Sequence, residues 1–228
     1  MARTTHPTRR PTPLLAGGAL ACLALIAVPG CVIGTLIGGM AASAERYGDH
    51  EVLAEYAGLQ EKSFAVVVDA DRIIQANEPE LTARITARVN DTLMQNAGAA
   101  YGIPSRDLLA VLYARPQWQA MQPSEVAAML GVERLVWIEL DTYRLSEVGN
   151  KYMWDGLARG SVLVYAADSA LPDDPMFEKA IMVQFPDSTG YSRSDLPESA
   201  VTTELSNRFV DRASWLFFDH REPNEMKY

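Results

Sequence analysis

Phe64-Ala-Val-Val-Val68 is an unbroken apolar run rich in β-branched residues, closed by Asp69, Asp71 and Arg72. A run of this length without alternation reads as a strand buried on both faces. A strand of that kind belongs inside an α/β sheet, so helices are expected on either side of it in sequence. Downstream, Asn77-Glu78-Pro79-Glu80 reads as a helix start, with Asn77 as cap and Glu80 three residues later. Leu81, Ile85, Val89 and Leu93 then recur at i, i+4 and predict one long helix to about Ala97, stopped by Gly98. Glu80 and Arg84, and Arg88 and Asp91, fall on neighbouring turns of its wet side. Ser105 is expected to cap a shorter helix, Arg106–Ala114, which ends before Pro116. Pro123-Ser-Glu125 opens a third helix, to Leu130, with Gly131 terminating it.

Three more strands follow, at Arg134–Tyr143, Leu157–Ala167 and Glu178–Phe185. The loops between them (Glu147–Asn150 and Leu171–Pro175) are turn-rich, which predicts an antiparallel meander. Pro197–Asp219 reads as a final long helix, with Val201, Leu205, Phe209, Ala213, Leu216 and Phe217 as its apolar stripe. The expected order is β-α-α-α-β-β-β-α: one α/β (α+β) domain over residues 61–220, with a mixed sheet and helices on at least one face. Residues 45–59 read as a linker and residues 221–228 as a polar tail.

Upstream of the domain the charge is unevenly spread. Arg3, Arg9 and Arg10 stand in a head without acids, and no charged residue occurs from Pro11 to Ala44. The net charge is −9; from Cys31 onward the chain holds 17 basic and 29 acidic residues, net −12. That balance disfavours a nucleic-acid binder, which needs a basic face. A single apolar run also excludes a multi-span transporter. A basic head, an apolar core Leu14–Val28 and small residues after it have the layout of a secretory signal, over residues 1–30.

The stretch Val28-Pro29-Gly30-Cys31 resembles the lipobox of bacterial lipoprotein precursors: an aliphatic residue, two small positions and a cysteine. The resemblance implies that the chain is cut before Cys31, and that Cys31 is lipidated on sulfur and on its new amino group. It further implies a tether over residues 31–60. Val32, which is not Asp, implies the outer membrane, periplasmic face. Two other readings of the same run remain open. The run is long enough to be a retained single span, and Ala42-Ser43-Ala44 is an A-x-A cleavage site. All three place the acidic domain outside the cytoplasm. Gly34, Gly38 and Gly39 have a small-residue spacing that would allow membrane helices to pack into an oligomer.

Ala-Met-Leu-Gly-Val132 running into Leu-Val-Trp-Ile-Glu-Leu140, after a buried strand and a long helix, resembles two kinds of small α/β domain. These are the TolB amino-terminal domain and the CsgG-type secretion lipoproteins. The layout as a whole resembles a family of uncharacterised bacterial lipoproteins. The first two resemblances imply an assembly role and bring no catalytic residue with them; the last implies no known activity.

No nucleophile elbow, zinc-protease helix, P-loop or dinucleotide fingerprint is present. After Cys31 the only histidines are His50 and His220, so neither an imidazole metal site nor a Ser-His-Asp triad is expected, and no cofactor. Carboxylates are the remaining polar chemistry. Asp69, Asp71, Glu78 and Glu80 are candidates for a hard cation, read first as turn and cap residues. Asp173-Asp174 read as turn residues; Glu139 and Asp141 lie near each other on one strand. Trp118, Trp137, Trp154, Trp215, Tyr152 and Tyr191 read chiefly as core, with a sugar-binding groove as the alternative. Trp215 and Phe218, off the main stripe of the last helix and rimmed by Arg208, Arg212 and Arg221, form the candidate partner surface. The expectation is a membrane-anchored, non-enzymatic envelope protein that binds another envelope protein; the alternative is a carbohydrate-binding or hydrolytic domain working through carboxylates.

Overall fold

A computed structural model of the chain describes residues 48–150, 152–188 and 190–224. The signal segment, Cys31 and the glycine-rich stretch after it lie outside the described residues. Among the described residues, no helix is long and apolar enough to cross a membrane. The main body is His50–Glu222; of the smaller unit, Gly48, Asp49, Pro223 and Asn224 are described, with Asn224 N–H donating to Gly48 C=O at 2.9 Å.

The elements are β1 (Asp49–Val52), β2 (Ser63–Ala70), α1 (Arg72–Asn77), α2 (Leu81–Asn96), β3 (Tyr101–Gly102), α3 (Ser105–Ala114), a 3₁₀ turn (Pro116–Ala120) and α4 (Pro123–Leu130), followed by β4 (Arg134–Arg144), β5 (Gly156–Ala166), β6 (Phe177–Phe185), α5 (Glu198–Trp215) and β7 (His220–Pro223). Five strands make one mixed sheet in the order β3-β2-β4-β5-β6; β1 and β7 pair separately. The first two pairings are parallel and the last two antiparallel, so β4-β5-β6 is the expected meander.

The apolar run of β2 is buried on both faces as read: Ala65, Val66 and Val67 are each 0% exposed. Alternation sends Val66 and Val68 to one side, where Val136 and Ile138 of β4 join the stripes of α2 and α5 in the larger core. Ala65 and Val67 go to the other side, where Leu135 and Trp137 pack with Leu108 and Leu112 of α3 and Val126 of α4. Trp137 meets Trp118 (ring centroids 5.5 Å apart, interplanar angle 66°) and Tyr165 (6.4 Å, 80°), both edge-on. Helices therefore cover both faces over β2 and β4. Toward β6 the second face is bare, and Glu178, Ala180, Met182 and Gln184 are exposed there.

Several local expectations are corrected. The long helix does not start on an Asn77 cap. Asp71 caps the short α1 instead, accepting from Ile73 N–H at 2.7 Å, and Asn77 is the last residue of α1. α2 starts at Leu81 after Glu80, with no side-chain cap. Ser105 is inside α3, behind Pro104, and its hydroxyl bonds Ala87 C=O and Asp91. The stretch read as a linker carries β1 and the fully buried Leu59, and Tyr56 N–H donates to Leu216 C=O at 2.9 Å. Part of the expected tail is β7. By contrast, α4 behaves as read. Gly131 ends it in the left-handed region (φ 69°), and Glu125 returns a carboxylate oxygen to Gln122 N–H at 3.0 Å. Asp173 reaches the same terminus from its loop and accepts from Ser124 N–H at 2.9 Å.

Candidate functional site

Two concavities stand out, and each exists because a strand edge is left unpaired. The first runs beside β6, the edge strand of the main sheet. Lys179, Ala180, Ile181 and Met182 all line it, together with Leu53, Arg212, Trp215, Leu216, His220 and Glu222, around a volume of about 310 Å³. Strand side chains alternate between faces, so four consecutive residues line one groove only where the strand edge is its wall. On the opposite wall the His220 ring stacks on Trp215 (centroids 4.7 Å apart, 13° between planes). Glu222 Oε1 lies 2.9 Å from both Arg212 Nη1 and His220 Nε2. Lys179 Nζ meets Glu55 Oε2 at 2.7 Å. Leu53 is 70% exposed and Met182 54%, so the groove's mouth is apolar while its charges are matched.

The second concavity, about 320 Å³, lies where β3 stops. β3 pairs only with Ser63 and Phe64, so the later part of β2 has no neighbouring strand on that side. α2 and α3, on opposite faces of the sheet, flank the gap, with Val68 at its base and the 3₁₀ turn at one end. The chain leaves β2 for β3 on one side, then crosses to β4 on the other. Such a reversal at the carboxyl ends of parallel strands is where open α/β sheets place crevices.

Of the four residues singled out for a partner surface, Trp215 and Arg212 line the β6 groove. Phe218 lies elsewhere, partly buried against the larger core. Arg208 is only 7% exposed, and its guanidinium bonds Asp187, Glu204 and the Gln184 carbonyl. Cys31 lies outside the described residues. Trp118, Trp137 and Trp154 are buried, and Trp154 Nε1–H donates to Leu196 C=O at 2.8 Å; Tyr152 is 82% exposed.

The carboxylates are not drawn together into one cleft. Asp71 is spent on the α1 cap. Asp69 and Glu139 are register partners on β2 and β4, yet neither lines either concavity. Among the described residues no group of three or more His, Cys, Asp or Glu side chains could hold a metal. Burial raises the Asp69 carboxyl above its ordinary range, against the lowering effect of the Ala70 backbone and the Gln119 amide, which donates to Asp69 Oδ1 at 3.1 Å. Burial, then the charges of Asp141, Asp69 and Glu178, raise Glu139 in the same way.

A raised folded-state carboxyl penalises the fold once the unfolded chain ionises, so the penalty grows as pH climbs past the ordinary value of 3.8. Asp69→Asn is therefore expected to stabilise the protein modestly at pH 7, with the gain vanishing below about pH 3.8. Urea unfolding at the two pH values measures it, and a loss of stability at pH 7 would refute it. Elsewhere the sign reverses. The Arg134 guanidinium beside Asp168 lowers that carboxyl, and the Ser63 backbone N–H and Lys62 lower Glu133. These contributions are present at neutral pH and are lost as pH falls through the lowered values.

Of the second concavity's lining, sequence reasoning singled out only Trp118, as core or a sugar-binding groove, and passed over Thr86, Gln75 and Gln119. The one local signal was the pair of small residues, Ala83 and Thr86, beside the Leu81–Ile85–Val89 stripe.

No protein-family model matches the chain, and no curated protein matches it. Among solved structures it is similar to a lipoprotein of Neisseria meningitidis at 11% identity, covering 66% of this chain and 97% of that one, TM-score 0.42. It is similar to the PelC dodecamer of Paraburkholderia phytofirmans at 11% identity, covering 75% and 96%, TM-score 0.41. A hypothetical protein of Chlamydia trachomatis is similar at 13% identity, covering 68% and 97%, TM-score 0.41.

Proposed function

We propose that this chain is a lipid-anchored protein of the cell envelope whose α/β domain acts by binding a partner protein, not by catalysis. The observation that carries the binding role is the β6 groove. An unpaired strand edge offers main-chain donors and acceptors in a row, which only another extended chain satisfies along its length. The apolar mouth at Leu53 and Met182, with Trp215 on the far wall, supplies the anchoring surface such contacts concentrate on. The occupant is an extended segment of another envelope protein, pairing with Lys179–Met182. The address comes from Cys31: two or more acyl chains hold a protein stably on a membrane, at about 0.8 kcal/mol per buried methylene.

Two measurements test this reading. Cys31→Ser should move the full chain from the detergent phase to the aqueous phase; unchanged partitioning would favour a retained span. A photoreactive residue replacing Met182, in the full anchored chain in intact envelopes, should give one discrete crosslinked adduct with a different protein, lost on Trp215→Ala. Adducts of twice the chain's own mass would point to self-assembly, and no adduct at all would remove the groove from the function.

A further inference from the structure

The concavity where β3 ends carries features that a gap between helices does not need. Thr86 lies in the middle of α2 and is 2% exposed, yet its hydroxyl makes no hydrogen bond to protein. In a helix, threonine can hand its hydroxyl proton to the carbonyl four residues back. Ser206 in α5 shows the analogous bond, to Thr202 C=O at 2.7 Å. Thr86 shows no such bond, and its oxygen, unlike those of Ser146 and Ser214, is not fully buried without a partner. It lines the cavity.

The other polar groups are set in a consistent sense. Gln75 Nε2 donates to Ala70 C=O at 2.7 Å, and Gln119 Nε2 donates to Asp69 Oδ1 at 3.1 Å. Both acceptors can only accept, which fixes how each amide is turned. What each glutamine has left for a ligand is its carbonyl oxygen and its second amide N–H. The cavity thus offers two side-chain amides and the hydroxyls of Thr82, Thr86 and Tyr113, of which Thr86 is the buried one. No Asp, Glu, Lys, Arg or His lines it. The rest of its wall is Val68, Ala83, Leu109, Leu112 and neighbouring proline and aromatic side chains. An ion entering this wall would lose hydration without a counter-charge, which is costly. A neutral molecule with an apolar body would not. At about 320 Å³ the volume is at the small end of ligand sites.

We propose that this cavity is a binding site for a small uncharged molecule with an apolar ring and a hydroxyl group, the hydroxyl bonding Thr86 and the ring lying between α2 and α3. The site is independent of the β6 groove and of the anchor, and does not rest on either. Its position follows from the fold. β3 is too short to occupy this edge, and Ala83 and Thr86 are too small to fill the space that Leu109 and Leu112 leave.

The test uses the full chain in detergent micelles and two probes, 2-naphthol and 2-methoxynaphthalene, which share a ring system but differ in having a hydroxyl proton to donate. Backbone amide shifts are followed by NMR. For 2-naphthol, saturable shifts at Gln75, Thr86, Leu112 and Tyr113 are expected. Thr86→Val keeps the side-chain shape, removes no existing bond and so leaves the fold intact. It should weaken 2-naphthol by about five- to tenfold, the value of one hydrogen bond, and leave the methoxy compound unchanged. Leu109→Trp, which fills the cavity from α3, should abolish both. Equal affinity of wild type and Thr86→Val for 2-naphthol would overturn the proposal, as would shifts located elsewhere or none at millimolar probe. Shifts at these residues that track protein concentration instead of probe would assign the cavity to contact between copies of the chain, and would equally overturn it.

Discussion

Phe209→Ala is expected to destabilise the domain by about 3–5 kcal/mol. Phe209 is 0% exposed and is the largest side chain of the α5 stripe, between Leu205 and Ala213. Its ring belongs to the core that α2 and α5 build on the sheet with Val136, Ile138, Val162 and Val183. Truncation removes the ring's burial and leaves a space that α5 cannot readily close, because the helix is held at its middle and just past its C-terminal end. Arg208 ties its middle to Asp187 and Gln184, and Tyr56 N–H holds Leu216 C=O just past its end. Domains of this size are stable by roughly 5–15 kcal/mol, so the variant should unfold well below the urea concentration that unfolds the parent. Denaturant titration followed by far-ultraviolet circular dichroism measures it. A cost under about 1 kcal/mol would mean that α5 packs differently from this arrangement.

Gly160→Ala should cost about 3 kcal/mol or more, at or above the top of the usual overpacking range. The expectation comes from backbone, not from side-chain fit. A Cβ on Gly160 would stand 2.2 Å from the Glu139 carbonyl oxygen and 3.3 Å from Leu140 Cα. Neither atom can swing aside as a flexible side chain would. The register between β4 and β5 shifts there, between Leu140 and Thr142, and the bulge draws the two backbones together opposite Gly160. Because the collision is with Cβ itself, Val should cost little more than Ala. A graded series, with Ala mild and Val severe, would locate the problem in side-chain space and contradict the arrangement. Gly190, with open space around its Cβ position, shares no such contact; its φ of +106° makes its own cost conformational.

The elements readable in the sequence were those whose signal is repeated along many residues. β2 announced itself by an apolar run, α2 and α5 by stripes four residues apart, α4 by a proline start and a glycine stop, and β4-β5-β6 by three strand patterns divided by turns. All but α4, which rests on its two end residues, carry several independent copies of one message, so a single misread residue does not change them. The misreadings fall where one residue had to decide. Asp71 and Asn77 are equally good caps by type, but only Asp71 caps a helix, and Asn77 is that helix's last residue. β3 is two residues long and β7 four, too short for alternation to show. Arg208 looked like surface because arginine usually is, yet the loop after β6 brings Asp187 to it.

The candidate site was legible only in part, for the same reason. Trp215 and Arg212 stood out as an aromatic and a cation off the apolar stripe, and both reach the β6 groove. The groove itself depends on β6 being the sheet's edge, and strand order is not written in any one strand. The cavity at Thr86 depends on where β3 stops and on which small residues of α2 face α3. A threonine in a helix gives no sign of whether its hydroxyl will find a partner.

The sequence alone thus determined the α/β character, the antiparallel meander and a chain whose acidic part follows an uncharged N-terminal run, because periodicity and charge are local and additive. Tertiary structure alone decided which strand edges stay unpaired, which polar groups are left without partners and which arginine is buried. Those properties belong to pairs of segments far apart in the chain, and they exist only once packing has brought the segments together.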